Sequence, residues 1–461
     1  MGEPMFVIVG AKITVKHPSE ELVEWCKREL EIPNPEYTKK QRMGFWTGKT
    51  PKTLCLYEWN GADLVLPYGC IDKVLTADYT VSRFRPNPVD FGCEIPLYEY
   101  QTPAVDAMVA AGNGILQAPA GSGKTQMALA IASALGGRTL WLTHTVDLLN
   151  QSKERAERYM DKRKIGVITG GKVCLGECIT FATVQTMSNL DLTQYRYWFD
   201  TVIVDECHRL SGSPTTVTMF SKVLNCIAAP HKYGVSATVH RADGLIKATY
   251  SMLGDVKYVV PRSAVADKIM DVTVEPINTG VGLSRAFMDT DGTLVYAKLI
   301  NYLAENEERN RQILSNLVEN REHYCLVLSD RLCQLEWLMN HLPPELRKRA
   351  VMVDGKMTSK KAKAAREQAM DDMREGRKRF LFASYSLAKE GLDIPRLDRL
   401  FLATPQKDYA VIVQSIGRVA RTFEGKDNPI AYDYVDGGIP YCVKAFKKRK
   451  TSYRKIGCTV T

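Results

Sequence analysis

The chain has 461 residues, 45% of them apolar and 25% charged, and its 62 basic and 52 acidic side chains give a formal net charge of +10. That length exceeds one hydrophobic core and implies roughly two to four domains of ordinary globular composition. No apolar run reaches the roughly 18 residues of a membrane span, and Phe6-Val7-Ile8-Val9 lacks the basic flank of a secretory signal. The 12 cysteines are scattered. Cys174 and Cys178 form the one close pair, two ligands where tetrahedral zinc needs four, so no structural zinc is expected. Reduced thiols of the cytoplasmic type fit better.

Residues 1–92 read as a small α+β accessory domain. Phe6–Val9 and Lys12–Val15 alternate as strands do, Ser19 caps a helix with Leu22, Val23, Cys26 and Leu30 on one face, and Pro33 stops it. Strands are expected again at 53–57 and 63–66, and Pro86-Asn87-Pro88 reads as a linker. Between residues 39 and 52, five basic and no acidic side chains surround Phe45 and Trp46. Basic residues interleaved with aromatics suit contact with a nucleic-acid backbone plus base stacking. A hairpin whose aromatics are core fits equally.

From 93 to 265, strand and helix alternate. Strands are expected at 114–117, 139–143, 179–182, 200–204 and 233–236, with a helix over 146–160. The alternation restarts after about residue 270 and runs to 441, with strands at 324–328, 350–353, 380–383, 400–402 and 431–434 and a charged helix at 360–379. The fold class is therefore α/β, with two tandem parallel-sheet domains (93–265 and 266–441) behind the domain 1–92. Residues 442–461 hold seven basic side chains and no acid. They read as a basic C-terminal tail, either facing a polyanion or simply solvated.

The chemistry begins at Ala118-Pro119-Ala120-Gly121-Ser122-Gly123-Lys124-Thr125, set between an apolar strand and a helix. In a phosphate-binding loop of this kind, Gly121 and Gly123 let backbone N–H groups curl round phosphates. Lys124 reaches the β and γ phosphates and Thr125 ligates Mg²⁺. The helix that follows turns its positive end to the same anion. Strand 200–204 then delivers Asp205 and Glu206 at its C-terminal end, where ligands of parallel sheets sit. Asp205 suits Mg²⁺ and Glu206 suits an attacking water. Ser236-Ala237-Thr238 ends the next strand. In the second half, Gln414, Arg418 and Arg421 are spaced to share a helix face, and paired arginine forks suit a γ-phosphate. A basic stripe on a solvated helix would show the same spacing.

Taken in order, these motifs resemble those of superfamily 2 helicases and translocases over about residues 93–440. The resemblance implies two RecA-like domains, ATP with Mg²⁺, and further site residues. Gln101 stands where the family reads adenine, beside the loop residues Ala120, Gly121, Ser122, Gly123, Lys124 and Thr125, and Asp393 stands near the ribose. Asp205, Glu206, Gln414, Arg418 and Arg421 complete the catalytic set, Arg421 as arginine finger. Thr143, His144, Gly170, Thr183, Ser329 and Ser384 occupy positions of nucleic-acid backbone contact. Arg241 lies in Ser236–Gly244, which is similar to the corresponding region of XPB-like and phage UvsW-like branch-migration helicases. Ala242 replaces the acidic middle residue of the XPB Arg-Glu-Asp signature. The regions around Asn34–Tyr37 and Gly44–Lys49 are similar to N-terminal domains of phage members. The resemblance implies a cytoplasmic, monomeric, ATP-dependent DNA helicase acting on forked or branched DNA. An RNA helicase and the motor subunit of a restriction-like system remain alternatives. Intact Lys124, Glu206 and Arg421 oppose a non-enzymatic clamp.

Overall fold

A computed structural model describes residues 6–74, 88–211, 213–239, 245–353, 360–389 and 392–461. The chain divides into two compact units, Met1–Ala264 and Val265–Thr461.

Strands β1 (Phe6–Val9) and β2 (Lys12–Lys16) open the first unit. Their alternation buries Val7, Val9, Ile13 and Val15 on one face. The helix Glu20–Leu30 follows, with Ser19 Oγ accepting from Leu22 N–H at 3.2 Å. It lays Leu22, Cys26 and Leu30 on that face. Strands β3 (Glu31–Pro33) and β4 (Thr53–Cys55) pair with each other apart from the main sheet. The strand expected at 53–57 is therefore shorter. A separate strand β5 (Glu58–Asn60) precedes β6 (Asp63–Pro67), and the antiparallel order is β1-β2-β6-β5.

This small sheet docks on the rest of its unit through close backbone approach. A Cβ on Gly69 would lie 2.3 Å from the Gly254 nitrogen, so only glycine fits there. The Tyr68 hydroxyl donates to Pro230 O at 2.6 Å. Lys232 is fully buried and donates to Ala11 O at 3.0 Å and Leu224 O at 2.5 Å.

The large sheet of the first unit comprises β7 (Asn113–Gln117), β8 (Thr139–Thr143), β9 (Ile165–Thr169), β10 (Lys172–Cys174), β11 (Ile179–Thr183), β12 (Thr201–Asp205), β13 (His231–Ser236) and β14 (Val256–Val259). Their order is β10-β9-β11-β8-β12-β13-β7-β14, parallel except for the β9–β10 hairpin. Five of the eight were expected. β9, β10 and β14 were not, although the Gly170-Gly171 hairpin turn, with φ of 57° and 79°, was a signal for β9 and β10. The helix expected over 146–160 ends at Ala156.

The second unit repeats the plan with β15 (Thr273–Asn278), β16 (Cys325–Ser329), β17 (Ala350–Val353), β18 (Phe380–Ser384), β19 (Arg399–Leu402), β20 (Ile430–Val435) and β21 (Thr459–Val460), ordered β17-β18-β16-β19-β20-β15-β21. The charged helix runs Lys360–Arg374. Residues 442–461 are not a tail. The helix Pro440–Lys455 packs Cys442, Ala445, Arg449 and Tyr453 inward, and β21 adds to the sheet beside β15. Arg449 pairs with Asp433 through two 2.8 Å contacts, and Tyr453 OH donates to Asp433 at 2.8 Å. A buried bidentate pair of this kind tolerates no missing partner.

Candidate nucleotide site

Register brings the first-unit motifs to one edge. β13 lies between β7 and β12, pairing Gln117 with Ser236 and Val235 with Asp205. Because the three strands are parallel, the loops after Gln117, Asp205 and Ser236 leave from the same edge, where open α/β sheets bind ligands. Ala118 N–H donates to Ser236 O at 3.0 Å, tying the first loop to the third.

The loop 118–123 has the geometry its glycines predict. Gly121 and Gly123 have φ of 86° and 76°, and Gly123 caps the helix Lys124–Leu135. Ser122 Oγ donates to Pro119 O at 2.7 Å. Lys124 Nζ lies 3.4 Å from both Ala118 O and Pro119 O, so its ammonium is folded over the loop it would share with phosphate oxygens. Gln101 is fully buried and donates from Nε2 to Ser122 O at 2.8 Å, while its Oε1 accepts from Tyr98 N–H at 2.9 Å. Tyr100 OH also donates to Ser122 O, at 3.0 Å. A Cβ on Gly123 would meet Gln101 Nε2 at 2.4 Å. Ala120 and Thr125 flank this cradle, Thr125 in the first helical turn. Left-handed glycines, a helix N-terminus and a lysine form a donor set that fits a triphosphate.

Asp205 ends β12 nearly buried, accepting from Ser152 Oγ at 3.0 Å and from Glu206 N–H at 2.9 Å. Ser152 lies 53 positions away on another helix, and no local pattern marks it. Glu206 takes φ 48°, ψ 51°, a left-handed conformation unusual for a residue with a side chain. Its carboxylate points to His208, whose Nδ1 is 3.3 Å from Glu206 Oε2 and 2.8 Å from Ser236 Oγ. Burial raises the pKa of Asp205, and the Glu206 charge adds to that rise. For Glu206 burial works in the same sense but is outweighed by Lys124, by the His208 hydrogen bond and charge, and by Arg209, which hold it low. One carboxylate of the pair is thus kept ionised.

In the second unit the expected helix face is interrupted. The helix Tyr409–Val419 carries Gln414 and Arg418 but ends with Ala420 as its cap, leaving Arg421 outside it. The chain turns because Ala420 O accepts from Met270 N–H at 2.7 Å and Arg421 bridges Ile269. Arg418 donates to Leu392 O at 2.9 Å, and the Arg421 guanidinium pairs with the Asp393 carboxylate. Gln414 is buried, and its Oε1 has no hydrogen-bond partner among the described residues.

The nucleic-acid positions divide by exposure. Thr143 is fully buried, its hydroxyl donating to Thr145 O at 3.0 Å, and Thr183 Oγ1 is 2.9 Å from Thr186 Oγ1. His144 accepts at its carbonyl from Gln185 Nε2 at 2.9 Å, and burial, then Arg209 and His208, lower its pKa. Gly170 sits in an open turn with nothing within 4 Å of a would-be Cβ. Ser329 is fully buried and donates to Gln334 Oε1 at 2.7 Å, whereas Ser384 pairs with Ser386 at 2.7 Å. Phe45 is 60% and Trp46 88% exposed, so neither belongs to a hairpin core. Arg241 lies outside the described residues. Among the described residues no cluster of three or more His, Cys, Asp or Glu could hold a metal ion, and no helix is long and apolar enough to cross a membrane.

Tandem RecA-like sheets, with a phosphate-binding loop on the first alone, define a helicase-type motor. Residues 94–241 match the family described as type III restriction enzyme, res subunit, and residues 308–423 match the helicase conserved C-terminal domain. The chain belongs to the superfamily 2 helicases and is an ATP-dependent enzyme of that class. It is similar to a putative ATP-dependent RNA helicase of Acanthamoeba polyphaga mimivirus, 26% identical over 87% of this chain and 76% of that protein. A probable helicase of Escherichia phage T5 is 24% identical over 94% of this chain and 91% of its own. The DNA 3′-5′ translocase XPB2 of Sulfurisphaera tokodaii is 26% identical over 77% of this chain and 85% of its own. Among solved structures, yeast Dbp5 bound to RNA and ADP BeF3 shares the fold, with a TM-score of 0.52 and 16% identity over 81% of this chain and 95% of that one.

Proposed function

We propose that this chain hydrolyses ATP to move along DNA and to unwind or remodel forked or branched duplexes. The observation that carries the DNA-remodelling part is the exposed aromatic pair of the N-terminal region. Trp46 and Phe45 stand out among Lys39, Arg42, Lys49 and Lys52, four exposed bases that meet no carboxylate among the described residues. The loop that presents them is ordered. Lys40 Nζ donates to Thr50 Oγ1 at 2.8 Å, and Asn34 Nδ2 donates to Pro51 O at 2.8 Å. The Trp46 ring lies against Gly48, where a Cβ would come within 3.0 Å of it. Base stacking on such a ring contributes about 1–3 kcal/mol per base without sequence preference. The similarity to a DNA 3′-5′ translocase supports the choice of DNA.

In this reading residues 1–92 form an accessory DNA-contacting domain, 93–265 the nucleotide-binding domain and 266 onward the second motor domain. Gln101 reads the adenine, and the N–H groups of Ala120, Gly121, Ser122 and Gly123 hold phosphates with Lys124. Mg²⁺, held by Thr125 and Asp205, would supply charge neutralisation at the phosphates. Glu206 orients and deprotonates water, and Arg418 and Arg421, with Gln414 and Asp393, come to the γ-phosphate and ribose from the second unit. Arg421 must leave Asp393 to do so. Thr143, His144, Gly170, Thr183, Ser329 and Ser384 contact the DNA backbone.

Strand separation on a labelled forked duplex tests the proposal, with Lys124→Ala as the inactive control. ATP-dependent product from the parent alone is expected. Absence of product with forks and four-way junctions, from a parent that hydrolyses ATP, overturns it. An RNA substrate is the second reading, favoured by the similarity to the mimivirus protein.

A further inference from the structure

The helix Pro440–Lys455 carries seven basic residues and no acid. Arg449 alone turns inward. Lys444, Lys447, Lys448, Arg454 and Lys455 are exposed at spacings i, i+3, i+4, i+10 and i+11, opposite the buried Cys442, Ala445, Arg449 and Tyr453. They make one stripe about 16 Å long at the α-helical rise. None of the five meets a carboxylate among the described residues. Several exposed bases elsewhere in this unit do: Arg311 with Glu307 at 2.8 Å, Lys348 with Glu345 at 3.3 Å and Arg374 with Asp371 at 2.7 Å. Like charges three and four apart oppose helix formation. This helix persists because its inner face is locked to the sheet through Arg449 and Asp433.

The same lock places the stripe. Arg449 Nη1 donates to Gln406 O at 3.0 Å, and Lys407 Nζ donates to Tyr441 OH at 3.1 Å. Two residues earlier, Thr404 Oγ1 accepts from Asp330 N–H at 2.9 Å and Thr404 O accepts from Tyr385 OH at 2.8 Å. Asp330 and Tyr385 follow Ser329 and Ser384, partners at the ends of β16 and β18. The segment 404–407 is thus hydrogen-bonded to those strand ends on one side and to the C-terminal helix on the other.

We propose that this helix is a phosphate track, its five outward bases holding the nucleic-acid backbone without sequence preference as it leads away from the edge bearing Ser329 and Ser384. The proposal rests on the motor reading. Arg449 is a positioning residue in it and touches no phosphate.

The test combines Lys444→Gln, Lys447→Gln, Lys448→Gln and Lys455→Gln in the full chain and measures binding of a fluorescent forked DNA over a salt series. Each phosphate contact contributes about 0.9 to the slope of log K against log salt, so the slope should become shallower by about three to four. Affinity near 0.1 M salt should weaken on the order of tenfold or more. The same four positions changed to Arg should keep the parental slope, and ATPase without DNA should be unchanged. A Gln variant with the parental slope and affinity overturns the proposal, as does an Arg variant that loses as much as the Gln one. Failure of the motor reading is separate: it appears as a parent whose ATPase no nucleic acid stimulates.

Discussion

His208 Nδ1 stands 2.8 Å from Ser236 Oγ and 3.3 Å from Glu206 Oε2, so one imidazole joins the carboxylate pair to the hydroxyl that ends β13. Ser236 Oγ also donates to Thr238 O at 2.8 Å. Ser236 Oγ also lies 3.5 Å from Glu206 Oε2, so changes in the loop after β13 reach Glu206 both directly and through the His208 ring. Ser236→Ala should lower kcat for ATP about tenfold with KM nearly unchanged, since it loosens Glu206 without touching the phosphate cradle. Steady-state ATPase kinetics check this. A rise in KM at constant kcat would place Ser236 in nucleotide binding instead.

Gly123→Ala tests the cradle. The left-handed φ of 76° costs a residue with a side chain about 1–2 kcal/mol, and the new Cβ would press on Gln101, which is fully buried and hydrogen-bonded at both ends. Nucleotide affinity should fall at least roughly tenfold, with a small loss of thermal stability. Nucleotide titration by fluorescence reads it, and parental affinity would show that the loop tolerates the change.

Much of the first unit was legible in the sequence, because its strands are continuous apolar runs ending in motif residues. Gln117, Asp205 and Ser236 mark strand ends by chemistry as well as by pattern. Edge strands β10 and β14 carry mixed polar residues and gave no such signal. Arg421 was misplaced on a helix face because the spacing rule cannot see Met270 N–H capturing the Ala420 carbonyl. The C-terminal helix read as a tail because its charge count concealed an inward Arg449, whose partner Asp433 lies in β20. Ser152 on Asp205 is a contact between distant segments and leaves no local trace.

Lys232 gives the first unit a pH dependence. Burial lowers its pKa from 10.5 to about 7, although two carbonyl acceptors and the Tyr68 ring at 4.8 Å favour the ammonium. A coulombic contribution from Cys226 opposes the shift. The folded pKa lies below the unfolded one, so the unfolded chain holds more protons between them. Stability should therefore rise with pH from about 7, by up to roughly 1.4 kcal/mol per unit, with the burial penalty complete below that. Lys232→Met should lose this rise in thermal midpoint between pH 7 and 9. Parallel curves for parent and variant would contradict the assignment.

Asp433→Asn should destabilise the second unit by about 3–5 kcal/mol, because it leaves the buried Arg449 charge uncompensated. Replacing both partners, Asp433→Leu with Arg449→Met, should cost less than the single change. Calorimetry of the three proteins decides it, and a double variant worse than the single would show that the pair contributes more than charge balance.

ATP turnover of the full chain with forked DNA and with RNA of the same sequence and shape decides whether the ATPase is driven along DNA. Stimulation should be several-fold greater with the DNA and absent in Lys124→Ala. Greater stimulation by RNA would contradict it.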